Sequence, residues 1–276
     1  MGKTLIPVGL LATAMLLGCV PGLEQRRIPG FTFQGTNAQG YDEYTHGSSG
    51  IRFVHLPGGE FWMGSLRSEE GHQPNEGPEH IVSLSPFLIA KYEVTQKEYR
   101  VVMAGNTAVP YLSANPSRDT GEDLPVAHVS WDDLHATDGF LERTGLVLPS
   151  EAQWEYACRA GTSGPYAGNG VLDDMGWYDG NSGGSSHPVG RKMANQFGLH
   201  DMHGNVFEWC EDLYNWRFYS SAGAAGPDPL STGGSGFRVL RGGHFNFDAQ
   251  DARSAIRSYS VPSFRGLGFR PVRPSP

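Results

Sequence analysis

The sequence predicts an α+β domain of short strands, few helices and long ordered loops. Three observations carry that expectation. Gly (38) and Pro (19) are abundant in the 276 residues while hydrophobic residues reach only 38%, a mix that cuts a chain into short elements. Six Trp and recurrent Gly–aromatic pairs argue against disorder, which is poor in aromatics. Three capped helix starts stand among strand-like runs, and no internal repeat is visible.

The first residues read as a targeting segment. MGKTLIPVGLLATAMLLGC has a basic residue at Lys3 and an apolar run from Leu5 to Leu17, too short for an ordinary membrane span. It ends in Leu16-Leu17-Gly18-Cys19, which resembles the bacterial lipobox. The resemblance implies a signal peptide over 1–18, cleavage before Cys19 and lipid attachment at its thiol. The alternative is an ordinary signal peptide with a chance cysteine. Acyl chains would anchor firmly, since each buried CH2 contributes about 0.8 kcal/mol. Val20 follows, with no Asp to retain the chain at an inner membrane, so the outer-membrane surface of the cell envelope is the expected location. Residues 19–50 lack periodicity and read as a tether, with a first strand at its end. The domain itself is expected over 51–276.

From Ile51, IRFVHLPGGEFWMGS reads as two strands around a Pro57-Gly58-Gly59 hairpin turn, and HIVSLSPFLIAKYEV as two more around Ser85-Pro86. Capping boxes predict helices from Thr95 to about Ala104, from Ser130 to about Thr144, and from Ser150 to about Ala160. The second box is the weaker, because Asp133 is short for the reciprocal bond. After Gly161 regular pattern fades until the short runs GLHDMHGNVFEWCED and GFRVLRGGHFNF.

Chemistry is sparse. The net charge of −8 without a Lys/Arg run excludes a nucleic-acid partner, since phosphate neutralisation needs clustered cations. Cys158 and Cys210 could pair in an oxidising compartment, but read better as two buried small hydrophobes. There is no CxxC, GxSxG or phosphate loop. His72, His80, His128, His135, His187, His200, His203 and His244 show no metal-ligand spacing. Glu151, Glu155 and Glu208 are expected to cap helices, pair with arginines or bind a metal.

Seven motifs in order, GGEFWMGS, FLIAKYEVTQKEY, LPVAHVSWDD, LPSEAQWEYACRAG, NQFGLHDMHGNVFEWCED, RVLRGGHF and GFRPVR, resemble the formylglycine-generating-enzyme (sulfatase-modifying factor) family from about Ile51 to Arg273. The resemblance implies a C-type-lectin-like fold of that subtype. It also implies two copper-binding cysteines after the RGG motif, where this chain has Phe247 and Ala252. Neither can coordinate soft Cu(I), so catalysis of that type is not expected and no cofactor is required. A family calcium carries over onto Asp201, Gly204 (carbonyl), Val206 (carbonyl) and Glu208, an oxygen set that suits a hard cation. The alternative is two acids that accept backbone hydrogen bonds with no ion.

The stretch from about 241 to 273 resembles the variable region of diversity-generating retroelement proteins of the treponemal variable lipoprotein type. The frame RGG…AQ..RSA.R….P..R..GFRPVR carries the likeness. In that family, adenines are randomised mainly at AAC codons, which can never yield Lys, Glu, Gln, Met or Trp. His244, Phe245, Phe247, Asp251, Ser258, Tyr259, Ser260, Val261, Ser263, Phe264 and Gly266 fall at such positions, and all are reachable from AAC. Leu267 is reachable but less securely placed. From Arg241 onward the chain has no Lys, Glu, Met or Trp. Arg241, Arg253, Arg257, Arg265 and Arg270 are expected to bridge carbonyls and carboxylates beneath a ligand-binding surface. The partner implied is a macromolecule or cell surface that differs between alleles. The alternatives are an envelope-anchored enzyme of altered chemistry and a structural lipoprotein.

Overall fold

The computed structural model describes residues 26–106 and 115–274. The signal peptide and Cys19 lie outside the described residues. In chain order the strands are β1 (Phe31–Thr36), β2 (Asp42–His46), β3 (Arg52–Leu56), β4 (Gly59–Met63), β5 (His80–Leu84) and β6 (Phe87–Ala90). Then follow β7 (Gly176–Trp177), β8 (His203–Gly204), β9 (Glu208–Leu213), β10 (Arg238–Arg241), β11 (Ser258–Ser260) and β12 (Val272–Pro274). The helices are α1 (Gln96–Met103), α2 (Trp131–His135), α3 (Phe140–Thr144), α4 (Glu151–Arg159) and α5 (Leu172–Met175). Short strands and few helices make the fold α+β, as the sequence predicts.

A five-stranded sheet of order β1-β2-β3-β6-β12 forms the centre. All four residues of β6 are fully buried. Alternation along that strand sends Leu88 and Ala90 into one core cluster and Phe87 and Ile89 into another. The first cluster takes Tyr99 of α1, Leu134 of α2 and Phe140 of α3. The second takes Trp154 and Ala157 of α4. The sheet is thus covered by helices on both faces. The end of the chain closes it, for β12 pairs antiparallel with β6 through Val272 and Ile89.

The expected tether gives way to structure well before residue 50. Strands β1 and β2 pair as a hairpin and β2 pairs with β3, so 31–46 belongs to the central sheet. The cause is a short alternation. Phe31 and Phe33 pack on the core while Thr32 and Gln34 face solvent. The turn is set by Asn37, whose Oδ1 accepts the amides of Gln39 and Tyr41.

The hairpin expected at Pro57-Gly58-Gly59 is corrected too. The strands are present, but β3 pairs with β2 and β6, while β4 pairs with β5 in a separate sheet. At Pro57-Gly58 and at Ser85-Pro86 the chain changes sheets instead of turning back. Gly58 has φ +70, and a Cβ there would lie 2.2 Å from the Leu84 carbonyl oxygen, so only glycine fits this crossing.

All three capping boxes are formed, including the one with the short Asp133. The helix expected over 130–144 is two, α2 and α3. Gly139 separates them, pressed so close to the turn before it that a Cβ would sit 2.6 Å from the Ala136 carbonyl oxygen.

Candidate ligand-binding surface

The C-terminal segment rests on five arginines, and each grips a carboxylate from a distant part of the chain. Arg257 holds Glu151 of α4 through two bonds of 2.7 Å and reaches the Asn75 carbonyl at 2.8 Å. Arg270 holds Glu208 through two bonds of 2.7 Å and donates to the His200 carbonyl at 3.1 Å. Arg241, fully buried, bonds Glu155 and the carbonyls of Ile256 and Ser254. Arg253 bonds Glu69, Glu76 and the Gly71 carbonyl. Arg265 holds Asp133 through bonds of 2.7 and 2.8 Å, so this carboxylate serves a helix cap and a loop together. The expected bridging role of these residues is what the structure shows.

Burial works against ionisation of Glu155, but Arg159 and Arg241 outweigh it and hold its carboxyl below the ordinary range. Burial likewise opposes the charge on Arg270, and Glu208 more than restores it. Around this framework the backbone is fixed sterically. Gly243 has φ +83, and a Cβ there would meet the Asp251 carbonyl oxygen at 2.6 Å.

Of the eleven candidate contact residues, none is buried. Phe247, Tyr259, Val261, Ser263 and Phe264 are exposed, and His244, Phe245, Asp251, Ser258, Ser260 and Gly266 are half-buried. Between them Arg241–Gly243, Ala252–Arg257 and Leu267–Val272 are buried, whereas Ala249 and Pro262 are half-buried and Gln250 and Arg265 exposed. Leu267 is therefore core. His244, Phe245 and Phe247 cluster on Phe207, with the Phe207 and Phe247 rings edge to face at 5.3 Å. Tyr259, 51% exposed, stacks on Tyr214 at 4.2 Å and lies beside Phe237 at 5.2 Å.

Their backbones are held by groups outside the segment. Phe245 N–H donates to the Asn205 carbonyl at 2.9 Å, and Ser182 Oγ donates to the Phe245 carbonyl at 2.8 Å. Asp179 N–H donates to the Phe247 carbonyl, and Asp132 N–H to the Pro262 carbonyl. Strand β11 hangs on β10 through the ladder pair Val239–Tyr259. None of these bonds uses a candidate side chain.

At the expected calcium set the protein itself engages some of the ligand atoms. Both Glu208 oxygens face Arg270, and Oε2 also accepts Trp154 Nε1 at 2.7 Å. Asp201 Oδ2 accepts the Gly190 amide at 2.6 Å and its Oδ1 lies buried without a partner. Gly204 and Val206 turn their amides to the Gly242 carbonyl and to Glu93. Burial, then Asp201 and Glu208, push the Glu93 carboxyl well above its ordinary range. Among the described residues no three His, Cys, Asp or Glu side chains are grouped to hold a metal. Cys158 and Cys210 are both buried and unpaired with each other, and burial pushes the Cys158 thiol up to about 12.

Sequence reasoning confined the surface to 241–273 and so missed Phe207, Tyr214 and Phe237, which support it from outside. The aromatic density of DLYNWRFY was the available signal.

This architecture has known relatives. Residues 43–275 match the sulfatase-modifying factor enzyme 1-like domain, and the chain belongs to that family. The formylglycine-generating enzyme of Streptomyces coelicolor is 32% identical over 79% of this chain and 87% of its own. PvdO from Pseudomonas aeruginosa superposes with a TM-score of 0.72 at 30% identity, covering 90% of this chain and 99% of that one. Variable protein 1 of Treponema denticola superposes with a TM-score of 0.66 at 24% identity, covering 90% of this chain and 100% of that one; the likeness is one of fold.

Burial lowers the His244 imidazole to about 4, against about 6.5 in an unfolded chain. The folded state keeps it neutral, so between these values the unfolded chain binds a proton that the folded chain does not. Its contribution is present above pH ~6.5 and is lost as pH falls towards 4. The melting temperature of His244→Phe, measured by circular dichroism, is expected to rise relative to wild type as pH drops from 7 to 4. Parallel curves would remove this assignment.

Proposed function

We propose that this chain is a non-catalytic binding protein. A C-type-lectin-like scaffold of the formylglycine-generating-enzyme subtype presents the eleven residues of its C-terminal segment as exchangeable contacts. One observation supports this above others: every candidate side chain reaches solvent while every intervening arginine but Arg265 is buried. A retroelement that rewrites those codons would change the surface and leave the support untouched. The fold likeness to the Treponema denticola variable protein agrees with this reading.

Aromatic contacts such as Phe247, Tyr259 and Phe264 offer large areas with few rotors to freeze. The partner is a macromolecule or cell surface that differs between alleles. The lipobox-like Leu16–Cys19 supports an envelope location, with a lipid anchor at Cys19 and the domain facing outward from the outer membrane. No cofactor is needed. With Phe247 and Ala252 at the expected copper positions and both remaining thiols buried, no thiolate is offered to a soft metal at that site.

The test is a displayed library in which the eleven positions carry the AAC-derived residue set. Most members are expected to resist protease like the parent, and selection against different protein targets is expected to return clones that differ only at those positions. A protease-sensitive majority would sink the reading. The anchor is checked separately, by incorporation of labelled palmitate into wild type and its loss in Cys19→Ser.

A further inference from the structure

A second cleft, of about 990 Å³, opens beside the candidate surface. Its apolar wall is formed by Trp62, Leu66, Pro74 and Trp216. Trp62 and Trp216 are 56% and 55% exposed, although large indoles in a monomer are ordinarily well covered. Ile81 lies directly across the strand pair from Trp62 and is exposed as well. Trp216 also lines a smaller cleft with Tyr214, Phe237 and Tyr259. One indole therefore joins this cleft to a residue of the expected variable segment.

The floor is pre-formed. Ser65 Oγ donates to Glu76 at 2.6 Å and bonds His72 at 2.8 Å. Glu76 is in turn held by Arg253 of the framework. A Cβ on Gly64 would lie 2.3 Å from the Glu76 carbonyl oxygen, so the backbone below the cleft is closely packed and takes only glycine there. Rigid concavity of this kind lowers the ordering cost of binding.

The rim is cationic in an otherwise acidic chain. Arg67 and Arg217 line the cleft with Glu79 as its one carboxylate, in a protein of net charge −8. Arg217 lies 4.5 Å over the Trp216 ring, and neither arginine is salt-bridged among the described residues. Exposed Trp and Arg around an apolar hollow is the composition that dominates protein–protein binding energy. Leu66 and Pro74 beside the indoles suit an apolar side chain better than the hydroxyl-bearing face of a sugar.

We infer that this cleft is a constant anchor site that takes an apolar side chain of a polypeptide partner, flanked by carboxylates that meet Arg67 and Arg217. The inference rests on the binding role proposed above and deepens it: variable residues choose the partner, and the cleft supplies a share of contact common to all variants. Neither exposed arginine belongs to the framework, so both can be changed without touching the fold.

The test titrates the full mature chain with the peptide N-acetyl-Glu-Phe-Glu-amide and follows the indole N–H signals of Trp62 and Trp216 by nuclear magnetic resonance. Both signals are expected to shift saturably. The basic analogue N-acetyl-Lys-Phe-Lys-amide is expected to bind at least tenfold more weakly, and the double variant Arg67→Gln with Arg217→Gln to cut that preference below threefold. A chain with all eleven variable positions exchanged is expected to keep the shifts. No shift, equal response to both peptides, or loss in the exchanged chain overturns the inference. So does methyl glucuronide moving the signals when the peptides do not, which would make this a saccharide site. Because the peptide assay does not use the variable residues, it can fail while the library succeeds, and the reverse.

Discussion

Buried guanidinium–carboxylate pairing is the interaction on which this structure depends. A loop-rich chain carries many backbone carbonyls that neither helix nor sheet satisfies, and each must find a donor or remain in water. Arg241, Arg257 and Arg270 solve this from inside. Each neutralises one glutamate and uses its remaining donors on carbonyls of neighbouring loops. The planar fork of arginine makes such multiple service feasible, whereas a lysine would offer one point charge. These pairs join segments far apart in the chain, from Glu151 to Arg257 and from Glu208 to Arg270, and so hold the last segment to α4 and β9.

The consequence is a separation of duties within one short segment. Buried frame and accessible side chains alternate between 241 and 273, and none of the framework bonds named above uses a candidate side chain. Backbone groups of Phe245, Phe247 and Pro262 are met by Ser182, Asn205, Asp179 and Asp132 from elsewhere. Surface exchanges in such a setting usually stay within about 0.5 kcal/mol, while loss of one partner from a buried pair costs about 3–5 kcal/mol. That contrast in energy is what would let one part vary and the other persist. The aromatic shelf of Tyr214 and Phe237 then gives Tyr259 a fixed seat.

Much of this was legible in the residues. The capping boxes at Thr95, Ser130 and Ser150, the Gly pair at 242–243 and the arginine frame each have a local cause that the sequence displays. Pairing was not legible. The run around Pro57 looks like a hairpin, but β3 turns back onto β2 before it and pairs with β6 beyond β4 and β5. The strand at 31–36 escaped notice because its alternation rests on two phenylalanines within a polar, glycine-bearing stretch. The acids were harder still. Glu208 reads equally well as a calcium ligand or an arginine partner until Arg270 is seen beside it. The supports Phe207 and Phe237 lie outside the segment whose pattern is most distinctive, and no spacing rule connects them to it.

The most direct measurement compares two sets of variants by urea denaturation. One set removes a single framework partner: Arg270→Ala, Arg257→Ala and Glu155→Ala. The other exchanges all eleven candidate contacts together for other AAC-derived residues. The account requires each framework variant to lose about 3–5 kcal/mol, and the elevenfold exchange to lose less than any one of them. A framework loss under about 1 kcal/mol, or an elevenfold variant that fails to fold cooperatively, would contradict it.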